Sequence, residues 1–155
     1  MSLLLPGLQL AIACDLRVAA ADTQLSAMEV RWGIVPDLGA TQRLPRLIGL
    51  GRAKEMVMTA RTVPAEEALG WGLLNRVADP EAVRKEALTW AEELAAGPPL
   101  AIAGAKRLAA AAFDRPVEVG LAHEAAVQVQ MLSSEDFREA VVSSIEKRPP
   151  KFRAK

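Results

Sequence analysis

The segment from Met28 to Arg46, MEVRWGIVPDLGATQRLPR, holds the residue types and spacing best suited to chemistry. Glu29 lies close to Trp32 and Gly33, and a second acid, Asp37, follows directly after Pro36. Leu38-Gly39-Ala40-Thr41 then opens a short helix carrying Arg43 and Arg46. Two carboxyls on a loop rich in Gly and Pro suit acid–base work, because the loop places side chains free of a regular element's geometry. The helix start adds unpaired amides that can face an anion. Two plainer readings stand beside this one: a connector in which Asp37 caps the Gly39 helix, and arginines that lie on a solvated helix face.

The elements that must position these groups are short. Gly7 to Cys14, GLQLAIAC, is apolar apart from Gln9, and its periodicity fits a buried helix or a buried strand. Leu16-Arg17-Val18-Ala19 and Leu25-Ser26-Ala27 read as extended pieces, separated by a turn at Ala21-Asp22-Thr23. After the loop, the pattern predicts a helix from Gly39 to Ile48 that is interrupted by Pro45, then a second over 51–59 with Ala53, Met56 and Val57 inward. Pro64 starts a third near its first position, and Leu73-Leu74-Asn75-Arg76-Val77 is the last strand.

From Asp79 onward the chain reads as helical. Asp79 caps a helix begun by Pro80, with Val83, Ala87, Trp90, Ala91 and Leu94 on one face. An alanine-rich helix covers 100–113. A third has Val117, Leu121, Ala125 and Leu132 in phase, with His123 on its polar side. Ser133 opens the last, with Asp136 placed as in a capping box. Three thin strands among about eight helices make a poor sheet, because isolated strands need partners.

Composition narrows the function classes. The chain has 155 residues, enough for one ordinary domain. Its 19 basic and 19 acidic residues balance, which argues against a nucleic-acid binder driven by phosphate neutralisation. Cys14 and His123 are the only cysteine and histidine, so a zinc site has too few soft ligands. A lone cysteine, expected to pack as a small hydrophobe, suits a reducing cytoplasm. The start, MSLLLP, matches neither a signal peptide nor a membrane span. Trp32, Trp71 and Trp90 are expected to pack in the core or an interface.

Taken together, GLQLAIACDLRVAA, the acid at Glu29 and GIVPDLGATQRLPRLIG resemble the second half of the crotonase (enoyl-CoA hydratase/isomerase) superfamily. RAKEMVMTARTVPAEEALGWGLLNRV is similar to the segment that follows there, and SSEDFREAVVSSIEKRPPKF to the closing signature. The resemblance runs from Gly7 to Phe152. It implies an α/β fold, the ClpP/crotonase spiral of ββα units, of which this sequence is a mainly helical portion with few short strands; the sheet-bearing N-terminal half is expected to be missing. Residues 1–78 would form part of the core, and residues 79–155 a helical region that assembles trimers or hexamers. The implied substrates are acyl-CoA thioesters, with coenzyme A as part of the substrate, no metal and no other cofactor. Nucleic acid and membrane are not among the expected partners.

Residue by residue, the resemblance puts Glu29 on the family's acid/base glutamate. Gln9 falls on the first glutamate of the hydratases, where an amide can orient water but cannot take its proton. Asp37 falls where some isomerases carry a functional aspartate. The oxyanion-hole region is Pro6-Gly7, and the donor position itself is Pro6, which has no N–H. Lys147, Lys151 and Phe152 resemble the terminal segment that approaches the CoA nucleotide of a neighbouring subunit. MSLLLP resembles a new start joined to the rest of such a chain. Two functions follow as alternatives: hydratase or isomerase chemistry with Glu29 as proton shuttle, or an oligomerising or acyl-CoA-binding remnant without turnover.

Overall fold

The computed structural model describes the backbone of residues 2–3 and the whole of residues 7–155. It falls into two compact units, Met1–Thr89 and Trp90–Lys155, with the boundary inside a helix.

The first unit is built from short pieces. GLQLAIA folds as helix α1 (Gly7–Ala13), because Leu8 and Ile12, one turn apart, are buried on one face while Leu10 is exposed. Strands β1 (Ser2–Leu3), β3 (Gln24–Leu25) and β4 (Val63–Pro64) form one small sheet. β1 runs parallel to β3 with Leu3 opposite Leu25, and β4 antiparallel to it with Val63 opposite Leu25. Strands β2 (Val18–Ala20) and β5 (Arg76–Ala78) pair in parallel, Ala19 opposite Val77. The sequence pattern left β1 and β4 unread, since two residues carry no alternation and Pro64 reads as a helix start.

Of helices α2 (Ala40–Ile48), α3 (Leu50–Thr59) and α4 (Ala65–Gly70), α4 packs against β3, β4 and β5, while α2 packs against α1 and α3. Pro45 does not interrupt α2. The proline removes one backbone donor, but Ala40, Leu44 and Ile48 are all buried, and that packing carries the helix through. Pro64 is the N-cap of α4, one position earlier than expected, with φ −63° and ψ 154°. The core joins Leu8 and Ile12 of α1, Leu25 of β3, Leu44 of α2, Met56 of α3, Val63 of β4 and Leu73. Arg17 is buried at its edge. Its Nε donates to the Leu73 carbonyl at 2.6 Å and its Nη1 to the Cys14 carbonyl at 2.7 Å, tying the end of α1 to the approach of β5. Burial pushes the guanidinium pKa below its ordinary value, and the Cys14 thiol and Asp15 partly offset that. Cys14 itself is exposed, contrary to the expected packing, because α1 ends with that side outward.

Helix α5 (Val83–Ala95) spans the boundary. It starts later than Pro80: Asp79 accepts through its backbone carbonyl from Ala82 and Val83, so a turn precedes the helix. The face expected inward is at most half-buried, and Leu94 is exposed.

The second unit holds α6 (Pro99–Ala111), α7 (Val117–Leu132) and α8 (Glu135–Glu146). Among the described residues its buried positions are Gly104, Asp136 and Ser143, none of them a large apolar side chain. A Cβ on Gly104 would lie 3.2 Å from Val127 Cγ1, so glycine lets α6 and α7 approach closely. The half-buried stripe of α7 is Gly120, His123, Val127 and Met131. The in-phase face at Val117, Leu121 and Leu132 is exposed instead, with Val117 at 71%. His123 is therefore on the inward stripe, where its Nδ1 lies 3.0 Å from Arg115 Nη1. Among the described residues, no helix is long and apolar enough to cross a membrane.

Candidate active site

Glu29 opens a single-turn 3-10 helix, Glu29–Trp32, which packs against α3. Gly33, at φ 70°, closes the turn, a left-handed conformation that glycine accepts without strain. The carbonyl of Glu29 accepts from Ile34 N at 3.3 Å. The side chain points inward and is only 2% exposed.

The partner waiting there is Gln9 of α1, itself buried. Its Nε2 donates to Glu29 Oε1, so the amide holds one oxygen of the carboxyl. Among the described residues, Glu29 Oε2 and Gln9 Oε1 have no hydrogen-bond partner. A buried carboxyl oxygen without a partner is costly, on the order of 1–3 kcal/mol, and most such groups in folded proteins are satisfied. The arrangement has one held oxygen and one buried oxygen without a partner, so the carboxyl keeps unused capacity to bind a proton or a donor.

Asp37 is not drawn into this pair. It lies on the exposed side of the loop while its neighbour Pro36 is buried, and among the described residues its carboxyl makes no hydrogen bond or ion pair. Nor does it cap α2: the N-cap is Gly39, and Asp37 contributes its backbone carbonyl to Ala40 N at 2.9 Å. Gly39 sits at φ 82°, and a Cβ there would come within 2.1 Å of Arg43 Nη1, which donates to the Leu38 carbonyl at 3.1 Å. Arg43 thus closes the loop behind Asp37. Trp32 is 75% exposed and leaves the core, whereas half-buried Trp71 packs against it, with Arg61 over its ring at 4.8 Å and Arg52 at 5.5 Å. Arg61 also binds Glu67, which lowers that carboxyl's pKa through the hydrogen bond.

Of Pro6 and Gly7, the expected oxyanion-hole region, Pro6 lies outside the described residues. Gly7 is the first residue of α1, a position whose N–H has no acceptor within the helix.

The tail residues Lys147, Lys151 and Phe152 follow α8. Lys147 ends the helix in the left-handed conformation, φ 52°. Lys151 lines a cavity of about 470 Å³ with Asp136, Arg138, Glu139, Arg148 and Arg153. Phe152 is half-buried. The opening of α8 differs from the expected capping box: Ser134, not Ser133, is the N-cap, and its Oγ accepts from Phe137 N at 3.1 Å. That leaves Asp136 for a different task. Its Oδ1 accepts from the backbone N–H of Arg153 at 2.8 Å and of Ala154 at 3.2 Å. One turn on, Glu139 takes both Nη atoms of Arg148, at 2.6 and 3.0 Å, and the Lys151 N–H at 2.7 Å. Arg148 first, and the Lys151 N–H after it, hold the Glu139 carboxyl down at about 2. Sequence reasoning missed both acids as partners of the tail. The available signal was their spacing with Ser143 along the inward side of α8.

Known proteins were compared with this chain. The family model described as enoyl-CoA hydratase/isomerase matches residues 5–155. The short-chain-enoyl-CoA hydratase of Clostridium acetobutylicum is 34% identical over 142 residues, covering 92% of this chain and 54% of that protein. The mitochondrial methylglutaconyl-CoA hydratase of Mus musculus is 37% identical over 151 residues, covering 95% and 48%. Among solved structures, enoyl-CoA hydratase from Mycobacterium tuberculosis H37Rv superposes with a TM-score of 0.96 at 32% identity, covering 99% of this chain and 61% of that one. An enoyl-CoA hydratase subunit from Geobacillus kaustophilus HTA426 gives 0.94 at 38% identity, covering 99% and 60%. The chain spans about half the length of the curated relatives it matches.

Proposed function

Because this chain belongs to the enoyl-CoA hydratase/isomerase family, we propose that it acts on acyl-CoA thioesters, with Glu29 as the acid/base that moves a proton through an enolate-like intermediate. The observation that carries this reading is the Glu29 carboxyl, buried, held through Oε1 by Gln9 and without a partner at Oε2 among the described residues.

The chemistry follows from that geometry. The Glu29 carboxylate takes a proton from the carbon next to the thioester carbonyl, whose oxygen then carries the developing negative charge. An N–H donor must stabilise that charge. Gly7 supplies the candidate amide, since Pro6 has none. In a double-bond isomerisation, protonated Glu29 returns the same proton to the far carbon of the allylic system. Hydration needs more, because water must lose a proton as its oxygen bonds to carbon. Gln9 can orient water but cannot accept that proton. The single-carboxylate pair therefore favours isomerisation, with hydration dependent on Glu29 alone. Asp37, exposed on the loop, assists only if substrate brings it to the reacting carbon. Lys147, Lys151 and Phe152 bind the nucleotide end of CoA. The exposed apolar face of α7 supports assembly of residues 79–155 into trimers or hexamers.

A second reading is a subunit that binds acyl-CoA or assembles without turnover. Proline at the oxyanion donor position favours it, since losing one such donor costs roughly 100- to 1,000-fold in rate. The two part on one experiment. The purified chain is given crotonyl-CoA and its 3-enoyl isomer, and Glu29→Gln is run beside it. Turnover that the variant loses establishes the enzyme. Binding of both thioesters with no turnover establishes the second reading in its binding form, whereas absence of binding removes every acyl-CoA role and leaves assembly alone, which sedimentation of the purified chain reads directly.

A further inference from the structure

We propose that Asp136 is a positioning residue for substrate binding: with Glu139 it latches residues 151–154 to α8 in the course that presents Lys151 and Phe152 to the nucleotide of a CoA thioester. This rests on the reading that these two tail residues meet that nucleotide.

Every fixed point of the tail is a backbone group. Arg153 N and Ala154 N donate to Asp136 Oδ1, and Lys151 N donates to Glu139 Oε1. The return contact is also backbone: the carbonyl oxygen of Lys155 accepts from Glu135 N at 2.8 Å, and more weakly from Asp136 N at 3.4 Å. These two are among the amides that the first turn of a helix leaves without partners. Arg148 anchors the start of the segment on Glu139 and on Glu146, at 2.5 Å from the latter. The latch therefore holds the backbone of residues 151–154 and, among the described residues, takes no hydrogen bond from the side chain of Lys151 or Phe152.

The burial of Asp136 is what sets it apart. It is 3% exposed, and among the described residues its Oδ2 has no partner. Burying a carboxyl with half its acceptors unused is a poor way to gain stability. A buried acid that accepts two consecutive backbone N–H groups does fix the course of a chain, and a fixed course removes an ordering cost otherwise met on binding. Phe152, between the two anchor points, is half-buried and so already placed.

The test compares binding of an acyl-CoA with binding of the corresponding acyl-pantetheine, which lacks the nucleotide, to the full chain. Asp136→Ala is expected to weaken the acyl-CoA by about tenfold and leave the acyl-pantetheine unchanged, as loss of preorganisation requires. Asp136→Asn keeps an acceptor oxygen and should restore most of the affinity. Hydrogen exchange at the Arg153 and Ala154 amides should quicken in Asp136→Ala and recover in Asp136→Asn. If Lys151→Ala weakens the acyl-CoA but Asp136→Ala does not, the latch is wrong while the nucleotide reading stands. If neither Lys151→Ala nor Phe152→Ala distinguishes the two thioesters, the nucleotide reading fails and the latch falls with it. Should Asp136→Ala not fold, Glu139→Ala carries the test, with exchange read at the Lys151 amide: the acyl-CoA should weaken by about tenfold with the acyl-pantetheine unchanged, and an unchanged acyl-CoA affinity overturns the latch.

Discussion

Gln9, on the first helix, donates its side-chain amide to the carboxyl of Glu29, and both side chains are buried. The amide occupies one carboxyl oxygen and leaves the other without a partner. Replacing Glu29 by Gln keeps the shape and removes the proton acceptor. The expected outcome is a loss of roughly 100- to 10,000-fold in turnover of a 3-enoyl-CoA, with the melting temperature nearly unchanged. Steady-state rates and a thermal melt check both halves.

Gln9→Glu would set two carboxyls side by side in a buried place. Like charges that close do not both ionise, so the pair would hold one shared proton. The pair then supplies one carboxylate to take a proton from water and one acid to protonate the carbon next to the thioester carbonyl. The ratio of hydration to isomerisation should rise by at least about tenfold, a modest share of what a general base contributes. Following loss of the enoyl thioester and appearance of the shifted isomer in one assay measures that ratio.

Gly39→Ala tests the loop that carries Asp37. The left-handed backbone at φ 82° costs an alanine about 1–2 kcal/mol, before the clash with Arg43 is counted. Adding Arg43→Ala should recover the clash and not the backbone cost. Denaturant melts of the single and double variants separate the two terms.

Glu139 makes the tail acid-sensitive. Its carboxyl is held at about 2 against an ordinary 4.5, so the folded state prefers it ionised. The contribution is full above the unfolded value and is lost as pH falls from about 4.5 through about 2. Arg148 shifts the other way, upward, and stays charged throughout. The protection factor of the Lys151 amide should fall across that acid window. In Glu139→Ala, which has no acceptor, it should already be low at neutral pH.

Arg17→Met removes two short bonds to the carbonyls of Leu73 and Cys14. Stranding acceptors at the edge of the core is expected to cost about 1–3 kcal/mol. Arg17→Lys should recover little, because one ammonium lacks the guanidinium's fork of donors. Urea midpoints of the two variants give the comparison.

Much of this was legible along the chain. Glu29 stands out as an acid on a Gly- and Pro-marked loop, and the helices over 40–48, 50–59 and 99–146 follow from spacing and from breakers at Gly49, Pro98 and Pro116. Other features were misread for physical reasons. Pro45 looks like a breaker until the buried Leu44 and Ile48 hold the turn together. Asp136 looks like part of a capping box because sequence records its distance from Ser133, while the serine one place later caps the helix.

By itself, then, the sequence determined the acid at Glu29, the amide at Gln9 and the run of helices over 83–146. Tertiary structure alone decided that Gln9 and Glu29 meet, that Asp37 stays apart on the exposed loop, and that Asp136 serves the backbone of residues 153 and 154. It also turned α7 so that Gly120, His123, Val127 and Met131 face inward. Periodicity says which residues share a helix face; when apolar residues occur all round, it does not say which face turns in. Polar pairings between distant residues are set only when packing brings the elements together, and no local preference encodes them.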